Sequence, residues 1–509
     1  MAASDATSGP CVLFLPQNMR RAFFVGLLTE ARKSERWNVA VACNRDSETV
    51  YRDLASPGGV YTTPDFGESQ PWENDARTRQ EVDALISRCE RETGLSAHRI
   101  LVAGDRDIGR AFGRGMYHYP VGEVARRSLA DNTVPEAVLR RMFHFARATL
   151  TAARPDFLVS GYVSPPHHTA FLLVAGTMGI PFATNRLSKV LSGMAFWSTD
   201  ARMGNGQAAA RFAAKRGARS VVSAAARDRL TRFRSTPQTV DYIRKNWKNA
   251  EAKTFMRQHT KFLHGFVRWG ARLVRGGPRP ASVTGAVGSY YRSLWLRARQ
   301  EHMYKTFSDE QLRGMKYVYF PMHKEPELAI NYMAPFWINQ LNTVRHLSAH
   351  LPYGSALLVR DHRLNIGRRP MGWMRDLAAL PNVTLIDPTD EQFKYLRNAT
   401  VVATENGSSG WEGVMLGRSV LTLARTFYDA PGLTERLENV EELDARLLRL
   451  FDGAVPAVPQ RDDLIGWFLD SELETSHVVD PPDYERSLAL LREVLATAEP
   501  ARRAFGAAQ

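Results

Sequence analysis

At 509 residues, with 44% hydrophobic and 24% charged residues, the chain has the composition of a globular protein of two or three domains. That composition excludes a disordered or membrane-spanning chain, since no apolar run approaches the roughly 20 residues a spanning helix needs. The net charge of +14 is uneven: residues 201–315 hold 24 Lys+Arg against 6 Asp+Glu, leaving the remainder slightly acidic, a pattern that points to a local basic surface.

Cys11, Cys43 and Cys89 are widely spaced and form no CxxC pair. They point to a reducing compartment and against a zinc site. Met1 to Pro10 shows no basic patch followed by an apolar core, so a cytoplasmic location is expected.

The first 200 residues alternate strand and helix signals. Val12 to Leu15 reads as a strand ending at Pro16, Arg20 to Lys33 as a helix, and Trp37 to Ala42 as a second strand. Arg99 to Ala103 reads as a third strand, ending at Gly104-Asp105-Arg106. Phe157 to Ser160 is a fourth. The loop Ser164-Pro165-Pro166-His167-His168, an apolar helix through Met178 and the strand Phe182 to Thr184 follow. Strands separated by helices predict a mainly parallel sheet covered on both faces.

Residues 201–310 lose the alternation and read as a basic helical insert or linker pair, broken at Gly276-Gly277-Pro278-Arg279-Pro280. It could bridge two domains with a solvated basic face or dock on an anionic membrane surface. Nucleic acid is not expected, because no aromatic-plus-basic motif stands out.

Alternation resumes at Lys316. Strands are expected at Tyr317 to Phe320, Ala356 to Arg360, Val383 to Ile386, Val401 to Thr404 and Val420 to Leu423, with a helix through Phe336 to Leu347. Residues from about 431 onward are mostly helical, with amphipathic stretches at Leu443 to Phe451 and Tyr484 to Ala496. The division is therefore an α/β domain over 1–200, a basic insert over 201–315, a second α/β domain over 316–430 and a helical segment over 431–509.

The sharpest chemical signal is Asn406-Gly407-Ser408-Ser409-Gly410-Trp411-Glu412, between a strand and a helix. Gly407 lets the backbone turn closely around an anion, and free N–H groups at the helix start point at it. Ser408 or Ser409 could cap the helix or bond a phosphate oxygen, and Glu412 could reach ribose hydroxyls. The Gly-Lys-Ser/Thr ending of a Walker A loop is missing.

Two more loops follow strands of the same half, one with His323 and Glu327, the other with Asp361, His362 and Arg363, with Arg368 and Arg369 shortly after. Imidazole and guanidinium groups there could neutralise charge growing on a departing phosphate. In the first half, Asp105 or His167 could act as a base toward an acceptor hydroxyl. Arg186, Lys189 and Arg363 are candidates for phosphate or acidic-sugar contacts. No HExxH spacing and no clear DxD motif is present, so no metal site and no cofactor are expected.

The runs Tyr317-Val318-Tyr319-Phe320-Pro321-Met322-His323, Leu380-Pro381-Asn382-Val383 to Pro388, and Gly407-Ser408-Ser409-Gly410-Trp411-Glu412-Gly413 resemble the capsular polysaccharide biosynthesis family. The likeness covers roughly residues 316–430 and is loose elsewhere. It implies two Rossmann-like domains in a GT-B-like arrangement. It also implies a glycosyltransferase of capsule or surface polysaccharide assembly; the missing metal motifs make it metal-independent, and the basic insert would hold it on the inner face of the cell membrane.

The nucleotide-sugar donor, for which the resemblance favours a CMP-Kdo-like one, would be held by His323, Glu327, His362, Gly407, Ser408, Ser409 and Glu412. The acceptor would be a lipid-linked saccharide. His362-Arg363 stands where relatives using CMP-sugars often show His-Pro. A nucleotide-sugar epimerase and a non-catalytic assembly or export partner are the alternatives.

Overall fold

The structure is a computed structural model. It describes residues 9–104, 131–240, 283–453 and 458–498 together with Val267, apart from 18–19, 36, 132, 162–164, 201–203, 326 and 431. Among the described residues the strands form two sheets.

The first sheet contains β1 (Cys11–Leu15), β2 (Asn38–Asn44), β3 (Val60–Thr63), β4 (Phe157–Ser160), β5 (Phe182–Leu187), β6 (Met194–Ser198) and β13 (Ser476–Val478), in the order β13-β6-β5-β4-β1-β2-β3. The strands from β3 to β5 in that order run parallel, while β6 pairs antiparallel with both β5 and β13.

The second sheet contains β7 (Tyr317–Pro321), β8 (Ala356–Arg360), β9 (Val383–Ile386), β10 (Val401–Thr404), β11 (Ser419–Thr422) and β12 (Glu435–Arg436). All its pairings are parallel, in the order β12-β11-β10-β7-β8-β9. Counted from the β9 edge within this half, the order is 3-2-1-4-5-6, that of a doubly wound Rossmann sheet. The α/β fold with two Rossmann-like sheets is therefore the one the strand pattern predicts.

Both sheets are covered on both faces, which is why their strands read as unbroken apolar runs. Alternate residues of one strand enter different cores. Leu13 and Leu15 belong to one cluster and Val12 and Phe14 to another. In the second sheet Tyr317 and Tyr319 face one cluster, and Val318 and Phe320 the other.

Several expectations are corrected. The run Arg99 to Ala103 is not a strand but the end of a helix, His98–Ala103. A short apolar run carries no periodicity that separates the two states, and burial of Ile100 and Leu101 against the first core decides for helix. His167 and His168 belong to the first turn of the helix Pro166–Thr177, not to a loop, with Pro166 at a position where a missing N–H costs nothing. The helix expected from Phe336 begins at Gln340, capped by the Asn339 side chain, because Pro335 to Trp337 form a 3-10 turn that leaves Phe336 exposed.

The start of the basic segment is not a free linker. Helices Gly206–Ala218 and Ala224–Ser235 place Phe212, Ala226 and Leu230 in one core with Ile465 and Phe468 of the helix Val458–Thr475. Residues 241–266 and 268–282 lie outside the described residues. No described helix is long and apolar enough to cross a membrane.

Candidate functional site

Ligands of open α/β sheets sit beyond the carboxyl ends of the strands, where the strand order reverses. In the second sheet that point lies between β7 and β10, and a cavity of about 290 Å³ opens there. Its wall takes Pro321 to Lys324 and Glu327 from beyond β7, Arg360 to Leu364 from the end of β8, and Gly407 to Ser409 from beyond β10. Gln392 and Lys189 complete it, the latter reaching in from the segment after β5 of the first sheet.

The glycine-serine loop has the shape the sequence suggested. Gly407 precedes the helix Ser408–Met415, and its N–H donates to Thr404 Oγ1 at 3.0 Å. A Cβ at position 407 would stand 2.9 Å from Thr404 Oγ1 and 3.4 Å from His323 Nε2, so glycine is what allows the two loops to meet. Trp411 and Tyr428 fill the space behind, and the Tyr428 hydroxyl donates to Gly407 O at 2.7 Å. The Gly410 N–H turns back to Gly407 O at 3.3 Å and no side chain caps the helix, which leaves the Ser408 and Ser409 N–H groups suited to an anion.

The β7 and β8 loops are locked from behind by a buried polar network. Arg369, wholly out of solvent, donates to Asp361 Oδ2 at 2.7 Å and Glu325 Oε2 at 3.2 Å. Asn365 Nδ2 donates to Asp361 Oδ1 at 2.7 Å and to His323 O at 3.1 Å. The His323 N–H donates to Gln340 Oε1 at 2.6 Å, and Gln340 Nε2 donates back to His323 O at 3.1 Å. His323 is thus fixed by its backbone while its ring stays free to meet a ligand.

Both cavity histidines are neutral at physiological pH. Burial, then Lys189 and His362, pushes His323 down to about 3. Burial brings His362 to about 4 against the opposing pull of Asp361. Leu364 N donates to His362 Nδ1 at 3.1 Å, so the proton of His362 sits on Nε2.

Positive charge comes from elsewhere in the wall. Arg360 donates to Gln392 Oε1, Pro388 O and Asp390 O, none of them a carboxylate, so its charge is available to an anion. Burial lowers Lys189 to about 8, with Glu327 raising and Arg186 lowering it further.

The predicted site residues divide accordingly. His323, Glu327, His362, Arg363, Lys189, Gly407, Ser408 and Ser409 line one cavity. Glu412 does not line it: its carboxylate lies one layer behind, accepting from Gln392 Nε2 at 3.2 Å, with burial raising it to about 7. Arg186 is buried on β5, outside the wall, and acts on it through Lys189.

His167 packs against the Phe66 ring at 5.5 Å and edge-on to His168 at 4.7 Å, away from the cavity wall, and burial lowers it to about 4. Asp105 lies outside the described residues. Arg360, Gln392, Gln340 and Glu405 did not stand out in the sequence. Only the polar ends of β8 and β10 hinted at them. Arg369, named there for phosphate charge, is instead bonded behind the wall to Asp361 and Glu325.

Among the described residues no group of three or more His, Cys, Asp or Glu gathers in a way that could hold a metal ion. No family model and no curated protein matches the chain.

Several solved structures show a distant likeness. UDP-GlcNAc 2-epimerase from Neisseria meningitidis bound to UDP-GlcNAc is 11% identical, covers 96% of this chain and 100% of its own, and has a TM-score of 0.28. Thermosulfurimonas dismutans KpsC, beta Kdo 2,7 transferase, is 10% identical, covers 69% and 89%, and has a TM-score of 0.32. KpsC, beta Kdo 2,4 transferase, from the same organism is 12% identical over 66% and 86%, with a TM-score of 0.31. At these values the likeness does not reach the reaction, and the cavity is judged on its own chemistry.

Proposed function

We propose that the chain is a glycosyltransferase and that the cavity holds the phosphate of a nucleotide-activated sugar. The observation that carries this reading is the meeting, at the switch point of a 3-2-1-4-5-6 sheet, of a glycine-serine helix start with Lys189, Arg360 and two neutral histidines. N–H donors and fixed cations stabilise a phosphate as it leaves and its charge grows. The sugar carbon becomes electron-poor as that bond breaks, and an acceptor hydroxyl would attack from the side of the first sheet. A base there would come from that half; Asp105 is the candidate, since His167 packs against Phe66 away from the cavity wall.

The donor is proposed to be a cytidine-activated acidic sugar, since Arg363 and Lys189 stand in the wall where a sugar carboxylate would be received. The acceptor is proposed to be a lipid-linked saccharide of a surface polysaccharide, approached from an anionic membrane face through the basic segment.

Competition among CMP, UDP and GDP for the purified chain, followed by nucleotide sugars with and without acceptor, tests the reading. Nucleotide-dependent transfer to an acceptor supports it. Conversion of a UDP-sugar without acceptor would replace it with an epimerase, and absence of any nucleotide binding with a non-catalytic role. Preference for UDP or GDP would discard only the acidic-sugar donor.

A further inference from the structure

Glu405 follows the last residue of β10, and His323 lies two residues beyond the end of the neighbouring strand β7. Adjacent parallel strands lie roughly 4.8 Å apart, so side chains just beyond their ends meet. Glu405 Oε2 stands 3.8 Å from His323 Nε2, with the Glu405 side chain wholly out of solvent. Apart from the backbone N–H of Glu405 itself, neither Glu405 oxygen has a hydrogen-bond partner, and neither does His323 Nε2, although all three atoms are buried.

An ionised carboxylate in that position would be a buried charge supported only by its own backbone N–H, an arrangement that proteins avoid by protonation. A neutral carboxyl has one O–H to satisfy, and the bare nitrogen of the facing ring is the acceptor within reach. The gap exceeds a hydrogen bond by about 1 Å, which a small side-chain rotation closes. The charged and titratable groups around the pair are Lys189 and His362 on the His323 side, and Glu325 and Arg369 on the Glu405 side.

We infer that Glu405 is held as a neutral acid whose O–H points to His323 Nε2, so that His323 carries its own proton on Nδ1 and presents an N–H donor to the anion in the cavity. Glu405 is then a positioning residue: it selects the tautomer, and His323 meets the ligand. An ionised Glu405 would accept from Nε2–H instead and leave a bare Nδ1 facing the anion, lone pair against lone pair. His362, fixed with its proton on Nε2 by the Leu364 N–H, supplies a matching donor. Burial holds the Glu405 acid up at about 8, in agreement with the geometry. The inference deepens the reading of the cavity as a phosphate site and takes its purpose from it.

The test is made on the ligand-free full chain with 15N-labelled histidine, using long-range proton–nitrogen correlation and His323→Gln to assign the ring. Wild type at pH 7 should show Nδ1 protonated and Nε2 bare. Raising the pH from 7 to 9 should move the proton to Nε2 in most molecules. In Glu405→Gln, whose amide N–H can still donate to Nε2, the Nδ1–H form should persist through the same range. In Glu405→Leu the two tautomers should mix at pH 7.

An Nε2–H ring or an imidazolium in wild type at pH 7, a switch with pH that Glu405→Gln leaves unchanged, or a pure Nδ1–H ring in Glu405→Leu would each overturn the inference. The Gln comparison separates Glu405 from Lys189, which titrates in the same range. No nucleotide enters the measurement. A flat calorimetric titration with CMP, UDP and GDP would therefore remove the glycosyltransferase reading and leave the tautomer result standing.

Discussion

Arg369 sits between Asp361 and Glu325 with its guanidinium 4.0 Å above the Trp373 ring, and all three charged side chains are out of solvent. Burial alone would disfavour the cation, but the two carboxylates more than offset it and hold Arg369 above its ordinary range. Arg369→Met leaves both carboxylates buried without a counter-charge, a change that costs about 3–5 kcal/mol. Chemical denaturation should show that loss, and the variant should also bind nucleotide more weakly because the His323 and His362 loops rest on this network. An unchanged denaturation midpoint would mean that the ion cluster is not closed as described. His323, His362 and the Gly407-Ser408-Ser409 turn were legible in the sequence, because each is a polar loop directly after an apolar strand. Arg369 showed in the sequence only as a cation of the β8 loop and Glu405 gave no signal, since their roles lie in partners at positions 325 and 323 that only folding brings near.

At the scale of elements, the helix Ala224–Ser235 is tied to Val458–Thr475 by Arg234, whose two terminal nitrogens donate to Asp462 and whose Nε donates to Met415 O at 3.0 Å. Ser223 caps the same helix, and its own N–H donates to Asp470 at 2.9 Å. Lysine cannot reproduce the fork, so Arg234→Lys should lower stability by about 1 kcal/mol, discounted because the pair is one-third exposed, as read by denaturation. Nearby Arg211 and Lys215 pair with Glu474, and Arg211 also with Glu493. Part of the positive balance counted along residues 201–315 is therefore neutralised by acids more than 200 positions away. What remains for a membrane is concentrated after residue 240. Anionic vesicles should bind the chain with steep salt dependence, and neutralising Arg268, Arg272 and Arg275 together should weaken binding several-fold. Equal partitioning onto neutral vesicles would exclude a charge-driven contact.

Across the whole molecule, two sets of buried groups set the dependence of stability on pH. Burial raises Glu405 to about 8 and Glu412 and Glu472 to about 7. Unfolded glutamates ionise near 4.3, so the folded chain keeps protons that the unfolded chain has lost, and this stability disappears as pH rises through the folded values. Buried His323, His362, His167 and His477 are lowered to about 3, 4, 4 and 4, and burial lowers His168 well below its ordinary value. The unfolded chain takes up protons at these positions below about pH 6.5, and the five histidines outweigh the three glutamates there. The melting temperature should therefore peak close to pH 6.5 and fall on both sides. Above about pH 8 the lowered Lys189 works in the opposite sense and slows the decline. Glu405→Gln should flatten the limb between pH 6.5 and 8 by up to about 1.4 kcal/mol per pH unit. A melting temperature that climbs steadily to pH 8 would contradict the assignment.

The sequence by itself determined the class of fold and the central parallel strands, though it missed β3, β6, β12 and β13 and read the helix His98–Ala103 as a strand. Runs such as Val318 to Phe320 and Val401 to Ala403 are apolar on both faces, and only a doubly covered parallel sheet buries both. It also marked the loops that end those strands. It could not order the strands in the sheet, and that order decides which loops share a cavity: β10 lies beside β7 although 79 residues, 322–400, lie between them in the chain. It could not place Lys189 opposite His323, seat Glu412 behind Gln392, or bring β13 onto the far edge of the first sheet. Those placements follow from side chains packing and pairing across long separations, and a charge or hydrogen bond acts through distance in space, not through position along the chain.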